Sequence, residues 1–277
     1  MATAADLLTI SQTDVQEPLP NEQVSSLLST PPFVYVPGTF NTRDIGLVPG
    51  SSIKPGLVFR TGSLGGLQDQ GKALLKDTLG IKTIFDLRSI REHASQPYPE
   101  IEGIQIVRTQ SQEDDAVVEL SDFVEGEGES GYTKMYLDVL RMYAQGFKEM
   151  LEHVRDRPGE AFLFHCNAGR DRTGVAAGLL QALAVTDPDA ITLDFMLSRI
   201  GTEPARAQLL AFAMKGAGIT ETSAPGFHNL VSLKIVCWNA FVQSLNREHG
   251  GWTGYAKTLG FSEDDLLTIK RNLTGSD

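Results

Sequence analysis

The chain has 277 residues, 41% of them hydrophobic, with 35 acidic against 24 basic side chains and a net charge of −11. This length and apolar content suit one large α/β domain, and no internal repeat or low-complexity tract argues for more. So acidic a field disfavours nucleic acid and anionic membrane surfaces as general partners, so an anionic ligand has to be drawn by a local basic pocket.

Residues 1–31 are polar and punctuated by Pro18, Pro20, Pro31 and Pro32. They read as a loosely held arm with at most a short helix at Val24 to Leu28. The start, Met1 to Asp6, lacks a basic region followed by an apolar core, and no apolar run approaches membrane-spanning length. Two cysteines without a partner at disulfide spacing fit a reducing compartment, and the expected location is the cytoplasm. A single catalytic domain is expected over 32–277. Strands are predicted at Phe33 to Val36, Leu57 to Arg60, Thr83 to Leu87, Ile104 to Val107 and Ala161 to His165. Helices are predicted near Leu67 to Leu79 and Lys134 to Arg155, and the second half is mostly helical. This order gives a central, mostly parallel sheet flanked by helices, with a ligand at the carboxyl ends of the strands. Residues 110–131 carry Glu113, Asp114, Asp115, Glu119, Asp122, Glu125, Glu127 and Glu129 without a Lys or Arg. A solvated loop is the ordinary meaning of such a run, and a lid over the site is the sharper one. The apolar pattern from Leu230 to Leu245 reads most simply as core, with a dimer face or an apolar substrate channel as alternatives. The oligomeric state is not readable.

The stretch Phe164-His165-Cys166-Asn167-Ala168-Gly169-Arg170-Asp171-Arg172-Thr173-Gly174 stands between the apolar run Ala161 to Phe164 and a helix-forming run from Val175 to Val185. A loop between strand and helix aims successive N–H groups, and the positive end of the helix dipole, at one spot suited to phosphate. Asn167, Ala168, Gly169 and Arg170 form the cradle. Cys166 sits where a helix N-terminus favours thiolate over thiol. Arg172 offers a planar fork for two phosphoryl oxygens, which a lysine would lack. Thr173 can donate to the Cys166 sulfur and help it depart, and His165 reads as a loop organiser. The glycines Gly169 and Gly174 have Walker spacing, but Val175 stands where that motif requires lysine. Cys237, inside the apolar stretch Leu233 to Phe241, reads as a packing residue.

Arg43, Asp44, Arg60, Asp86 and Arg88 put charge at the ends or entry loops of predicted strands. They either ring the anion site or form an ion-pair network that holds the loop. Arg170 reads as an extra rim cation favouring substrates with a second phosphate or a carboxylate. The five histidines show no ligand spacing, so no metal and no cofactor is implied.

The run His165 to Gly174 resembles the signature of the protein tyrosine phosphatase superfamily, Cys-x5-Arg followed by Ser or Thr. More narrowly, the chain is similar to the atypical bacterial and fungal tyrosine/serine phosphatases, whose usual signature is HCxAGKDRTG. Further segments agree with that family. They are Asn41 to Gly46, Arg60 to Leu64, Asp86-Leu87-Arg88-Ser89 with Glu92, Asp194 to Ser198, and the closing run Gly251 to Phe261. Together they span about 33 to 273 in order. Arg170 replaces the family's lysine, and Asn167 a residue that is often small or apolar. The resemblance implies a phosphotyrosine-phosphatase-like fold and a cysteine-dependent phosphomonoesterase. Its substrates would be phosphotyrosine, phosphoserine or phosphothreonine, phosphoinositides, or small phosphorylated metabolites.

Expelling an alkoxide or phenoxide needs a general acid. Asp171 ranks first, being inside the loop and favoured in the resembled family; Asp86 is second, and an aspartate of the acidic segment third. Two other functional classes stay open: a catalytically weak module that binds a phosphorylated partner, and a rhodanese-like sulfurtransferase. The intact Cys166, Asp171 and Arg172 speak against the first; the His165, Asp171 and Thr173-Gly174 context disfavours the second.

Overall fold

The computed structural model describes residues 2–97, 100–108 and 118–275. Its strands are β1 (Arg43–Asp44), β2 (Val58–Thr61), β3 (Thr83–Asp86), β4 (Gln105–Arg108) and β5 (Phe162–His165). They form one sheet in the order β1-β2-β5-β3-β4, parallel throughout except for the antiparallel β1. The three inner strands are buried at every position, with apolar stretches (Val58-Phe59, Ile84-Phe85, Phe162 to Phe164) and buried polar residues at their ends. On β5, Phe162 and Phe164 join the larger core on one face while Leu163 joins the smaller core on the other. Gln105 and Arg108 mark β4 as an exposed edge.

The helices are α1 (Ala4–Ser11), α2 (Asn21–Leu28), α3 (Asp69–Ala73), α4 (Ile90–Ser95), α5 (Glu129–Met142), α6 (Ala144–Asp156), α7 (Asp171–Leu183), α8 (Pro188–Met196), α9 (Ser198–Gly201), α10 (Arg206–Gly216), α11 (Phe227–Val231), α12 (Ile235–His249), α13 (Gly251–Thr258) and α14 (Glu263–Thr274). The larger core packs α5, α6, α7 and α12 on the sheet. Within it Phe195 stacks on Trp238 at 4.5 Å, and Tyr136 meets Phe241 edge-on at 5.3 Å. Among the described residues no helix is long and apolar enough to cross a membrane.

Three expectations change. The segment after Phe33 is not a strand: Phe33 makes a single bridge to Arg43, and the pairing stops where Asn41 on the opposing side turns to φ +58° and Thr39 N closes a turn on the Val36 carbonyl. The helix expected over Lys134 to Arg155 is two, α5 and α6, separated by Tyr143 at φ −103°, ψ 16°. The N-terminal arm is held. Leu7, Leu19, Val24 and Leu27 are buried against Val48, Leu193, Leu197 and Ile200, and the buried Arg199 donates to the carbonyls of Thr13, Asp14 and Glu17. Polar composition hid the arm's four spaced apolar anchors, and its clamp lies on α9.

Residues 110–117 of the acidic segment, with Glu113, Asp114 and Asp115, lie outside the described residues. The described part forms a turn at Leu120–Phe123 whose Phe123 is buried, with Asn229 Nδ2 donating to its carbonyl at 2.8 Å. Cys237 packs in the larger core, donates to the Glu127 carbonyl, and burial pushes its thiol up to about 12.

Candidate active site

Parallel register aligns the ends of β2, β5 and β3, pairing His165 with both Thr61 and Asp86. The central strand therefore delivers Cys166 to the carboxyl edge of the sheet, with the loops after β2 and β3 on either side. Ser63 N donates to the Asn167 carbonyl and Leu87 N to the His165 carbonyl, both at 2.8 Å, which stitches the start of the loop after β5 to both neighbours.

Gly169 sits at φ +63°, and a Cβ there would lie 2.3 Å from the Thr61 carbonyl oxygen, so both backbone and space require glycine. The loop's carbonyls face away from the site. Asn41 Nδ2 donates to Ala168 O at 3.3 Å and Gly169 O at 2.8 Å, and Arg60 Nη2 donates to Gly169 O at 2.9 Å. In a planar trans peptide the N–H opposes the C=O, so the amides of Gly169 and Arg170 point the other way. Arg60 is fixed by Asp194 at 2.6 Å, and Asp194 also takes Arg43 at 2.7 Å and Gln181 at 3.1 Å. Arg43 in turn donates to Asn41 Oδ1 at 2.6 Å. Burial and the neighbouring Arg60 lower Arg43 to about 10, which leaves it charged at neutral pH. Burial pushes the Asp194 carboxyl up, but Arg60 and Arg43 outweigh it and hold the group below its ordinary value. Asp44 turns away and accepts from Gly46 N and Gly56 N.

Cys166 is 2% exposed and its Sγ accepts from Thr173 Oγ1 at 3.1 Å. His165 is fully buried, with Nδ1 at 3.0 Å from the Cys166 carbonyl. A carbonyl only accepts, so Nδ1 carries the hydrogen. Burial, opposed by Asp86, brings this ring to about 4, so it is neutral at physiological pH. Asp86 lies beneath it, 2% exposed, accepting from Arg88 through Nε, Nη2 and the backbone N–H. Burial pushes Asp86 up, but the charge and hydrogen bonds of Arg88 outweigh it and keep the carboxyl below the ordinary range. Arg88 is spent on Asp86, the Gln96 carbonyl and His93.

Arg172 is held by the carboxylate of Glu92. Glu92 Oε2 takes Nη1 at 2.5 Å and Oε1 takes Nη2 at 2.8 Å, while Nη1 also donates to the Leu87 carbonyl at 3.1 Å. Glu92 Oε1 further accepts from Asn167 Nδ2 at 2.6 Å, and Oε2 from Ser89 N at 2.8 Å as part of the α4 capping box. The Arg172 guanidinium lies 5.8 Å from the Tyr143 ring. Glu92 engages the Nη1–Nη2 end of the fork and leaves its Nε–Nη2 edge to other partners. Burial raises the Glu92 carboxyl, but Arg172 and Ser89 prevail and keep it low.

Asp171 opens α7, with its side chain 26% exposed. It accepts from Tyr136 Oη at 2.8 Å and from Arg170 Nε at 3.1 Å. Arg170 turns its other donors to backbone carbonyls on α11. Sequence reasoning missed Glu92, Tyr136, Tyr143 and Asn41 as members of the site. The spacing of Tyr132 and Tyr136 marks one helix face, but nothing local says which loop that face meets. Among the described residues, no cluster of three or more His, Cys, Asp or Glu side chains is placed to hold a metal ion.

The sequence model of the tyrosine phosphatase family matches residues 34–275. A tyrosine-protein phosphatase of Nostoc commune is 29% identical over 224 residues, 77% of this chain and 73% of the relative. The triple specificity protein phosphatase PtpB of Mycobacterium tuberculosis is 27% identical over 273 residues, 87% of this chain and 98% of the relative. Among solved structures, the core catalytic domain of the PP-IP phosphatase Siw14 from S. cerevisiae aligns with 59% of this chain and 91% of its own. Its TM-score is 0.33 and its identity 14%.

Proposed function

The chain belongs to the tyrosine phosphatase family and is a phosphatase, and on that premise we propose that it hydrolyses phosphomonoesters through a phosphocysteine at Cys166. The observation that carries this is the 3.1 Å hydrogen bond from Thr173 Oγ1 to Cys166 Sγ at the head of the catalytic loop. A threonine hydroxyl so placed stabilises a sulfur that must carry negative charge twice, as attacking thiolate and as leaving group.

In the first step Cys166 Sγ bonds to phosphorus as the ester P–O bond breaks, and Asp171 gives its proton to the departing oxygen. The Nε–Nη2 edge of Arg172 and the loop amides hold the equatorial oxygens as the group flattens. In the second step water attacks phosphorus, Asp171 accepts its proton, and the P–S bond breaks to return the thiolate and inorganic phosphate. Asp171 is preferred to Asp86 because it is partly exposed, whereas Asp86 is buried and committed to Arg88. The names of the two relatives favour phosphoproteins, phosphotyrosine first, ahead of phosphoinositides and phosphorylated metabolites. The reduced thiol this chemistry needs suits the cytoplasm.

Hydrolysis of p-nitrophenyl phosphate in EDTA and reductant, by wild type and Cys166→Ser, tests this directly. Wild-type turnover that survives chelation and falls to background in the variant is expected. Turnover retained in Cys166→Ser would refute the phosphocysteine.

A further inference from the structure

Arg170 lies in the catalytic loop, yet its side chain is only 16% exposed and its donors are occupied within the protein. Nε donates to both Asp171 oxygens at 3.1 Å. Nη1 donates to the Val231 carbonyl at 2.7 Å, and Nη2 to the Leu230 carbonyl at 3.1 Å and to Tyr132 Oη at 3.4 Å. Tyr132 Oη in turn lies 2.7 Å from the Leu230 carbonyl and 2.5 Å from that of Ser232. Tyr136, one turn along α5, donates to Asp171 at 2.8 Å from the other side. The Arg170-Asp171 pair is thus clamped between a tyrosine pair on α5 and the last carbonyls of α11.

A cation in this position is poorly placed to take a second anionic group of a substrate. Turning Arg170 outward would release Asp171, leave the Val231 carbonyl without its side-chain donor and strip one of two donors from the Leu230 carbonyl, at a cost comparable to what a new ion pair supplies. What it does control is the direction of the Asp171 carboxyl, which has to meet the leaving-group oxygen within hydrogen-bond reach.

We propose that Arg170 is a positioning residue for Asp171, latching the aspartate to the end of α11 for proton transfer, and is not a rim cation that selects polyanionic substrates. This rests on Asp171 being the acid assigned above. Help from an acid matters most when the departing phenoxide is most basic, so the signature of the latch is a loss that grows along a leaving-group series.

The experiment is steady-state hydrolysis of aryl phosphates, from strongly acidic nitrophenols to phenol itself, by the full chain and by Asp171→Asn, Arg170→Met and Arg170→Lys. Inhibition by inorganic phosphate and by pyrophosphate is measured alongside. Asp171→Asn should lose on the order of 10²–10⁴-fold in kcat/KM, which reports formation of the phosphocysteine, on phenyl phosphate and far less on the most acidic phenol, the range for general acid catalysis. Arg170→Met should show the same slope with about 10–100-fold loss on phenyl phosphate, a part of that range. Arg170→Lys keeps the charge but cannot bridge Asp171 and two carbonyls at once, so it should fall between. Both inhibitors should weaken to the same degree. Should Arg170→Met fail to fold, as a melting curve would show, Arg170→Lys carries the test. A steep Asp171→Asn series with flat Arg170 series would overturn the latch alone, as would a pyrophosphate affinity lost selectively. A flat Asp171→Asn series would remove Asp171 as the acid and the latch with it.

Discussion

Replacing Glu92 by glutamine removes one oxygen and one charge from the fork that holds Arg172, with little change in volume. The carboxylate receives both Arg172 terminal nitrogens, at 2.5 and 2.8 Å, as well as Asn167 Nδ2 and Ser89 N. Glutamine keeps one acceptor and turns an NH2 group toward another donor, so at least one charge-assisted hydrogen bond is lost. Such a bond contributes about 1.5–3 kcal/mol, and at about 1.4 kcal/mol per factor of ten the expected loss in kcat/KM is roughly 10–150-fold. On the proposed mechanism the fork follows the phosphoryl oxygens as they flatten, so kcat should fall with kcat/KM. Inhibition by vanadate should weaken more than inhibition by phosphate. The retained acceptor can still cap α4, and a melting temperature within about 4 °C of wild type, the shift for roughly 1–2 kcal/mol at this chain length, would show that the fold is intact. The assay is aryl phosphate kinetics at neutral pH beside a melting curve. A Glu92→Gln protein with wild-type melting and kcat/KM within a factor of about three, well under one charge-assisted bond, would refute the assignment of Glu92 as the group that orients Arg172.

Thr173→Ala should slow breakdown of the phosphocysteine more than its formation, so rapid mixing should reveal a burst of phenol followed by a turnover about tenfold below wild type, a typical cost of about one hydrogen bond; unchanged turnover without a burst would remove the hydroxyl from the mechanism. Asp194→Asn leaves Arg43 and Arg60 without a counter-charge in the core, and breaking a buried pair costs about 3–5 kcal/mol, or roughly 6–20 °C in melting temperature at about 2–4 °C per kcal/mol; a smaller shift would mean that water reaches the network. His165 supplies a pH signature. Its folded value near 4 lies below the unfolded value of 6.5, so on acidification the unfolded chain takes up a proton the folded chain refuses. Stability should be complete above about pH 6.5 and decline by up to about 3 kcal/mol toward pH 4, at 1.36 kcal/mol per pH unit. Urea denaturation across that window should be flatter in His165→Gln, and identical slopes would exclude His165 as a cause. The ionised Asp194 adds stability of the opposite residue type but the same sense, present above the ordinary carboxylate value near 4 and lost as pH falls through its lower folded value.

Much of the loop from Cys166 to Arg172 is legible in the sequence because its chemistry is local. Cys166, Thr173 and the turn between them share one strand–loop–helix unit, so spacing alone brings the Thr173 hydroxyl to the Cys166 sulfur. Inner strands β2, β3 and β5 follow from short apolar runs, and their ends are found within a residue or two. The region before Phe33 is less legible, because four apolar side chains in a polar stretch give no clear period while a distant Arg199 supplies the clamp. The break between α5 and α6 is also hidden, since Tyr143 has no helix-stopping character of its own and packs beside Arg172 instead.

By itself the sequence determined which groups could do chemistry and on which element each stands, because residue type, period and turn glycine all act over a few neighbours. It left open whom the charged groups meet. Arg172 meets Glu92 across 80 positions, Arg60 meets Asp194 across 134, and Arg43 meets Asp194 across 151. Those pairings follow from the register of parallel strands and the docking of α4 and α8, which sum packing over distant parts of the chain that no local pattern encodes. The same holds for Arg170, whose charge is plain in the sequence but whose direction is set by the tyrosines of α5 and the carbonyls of α11.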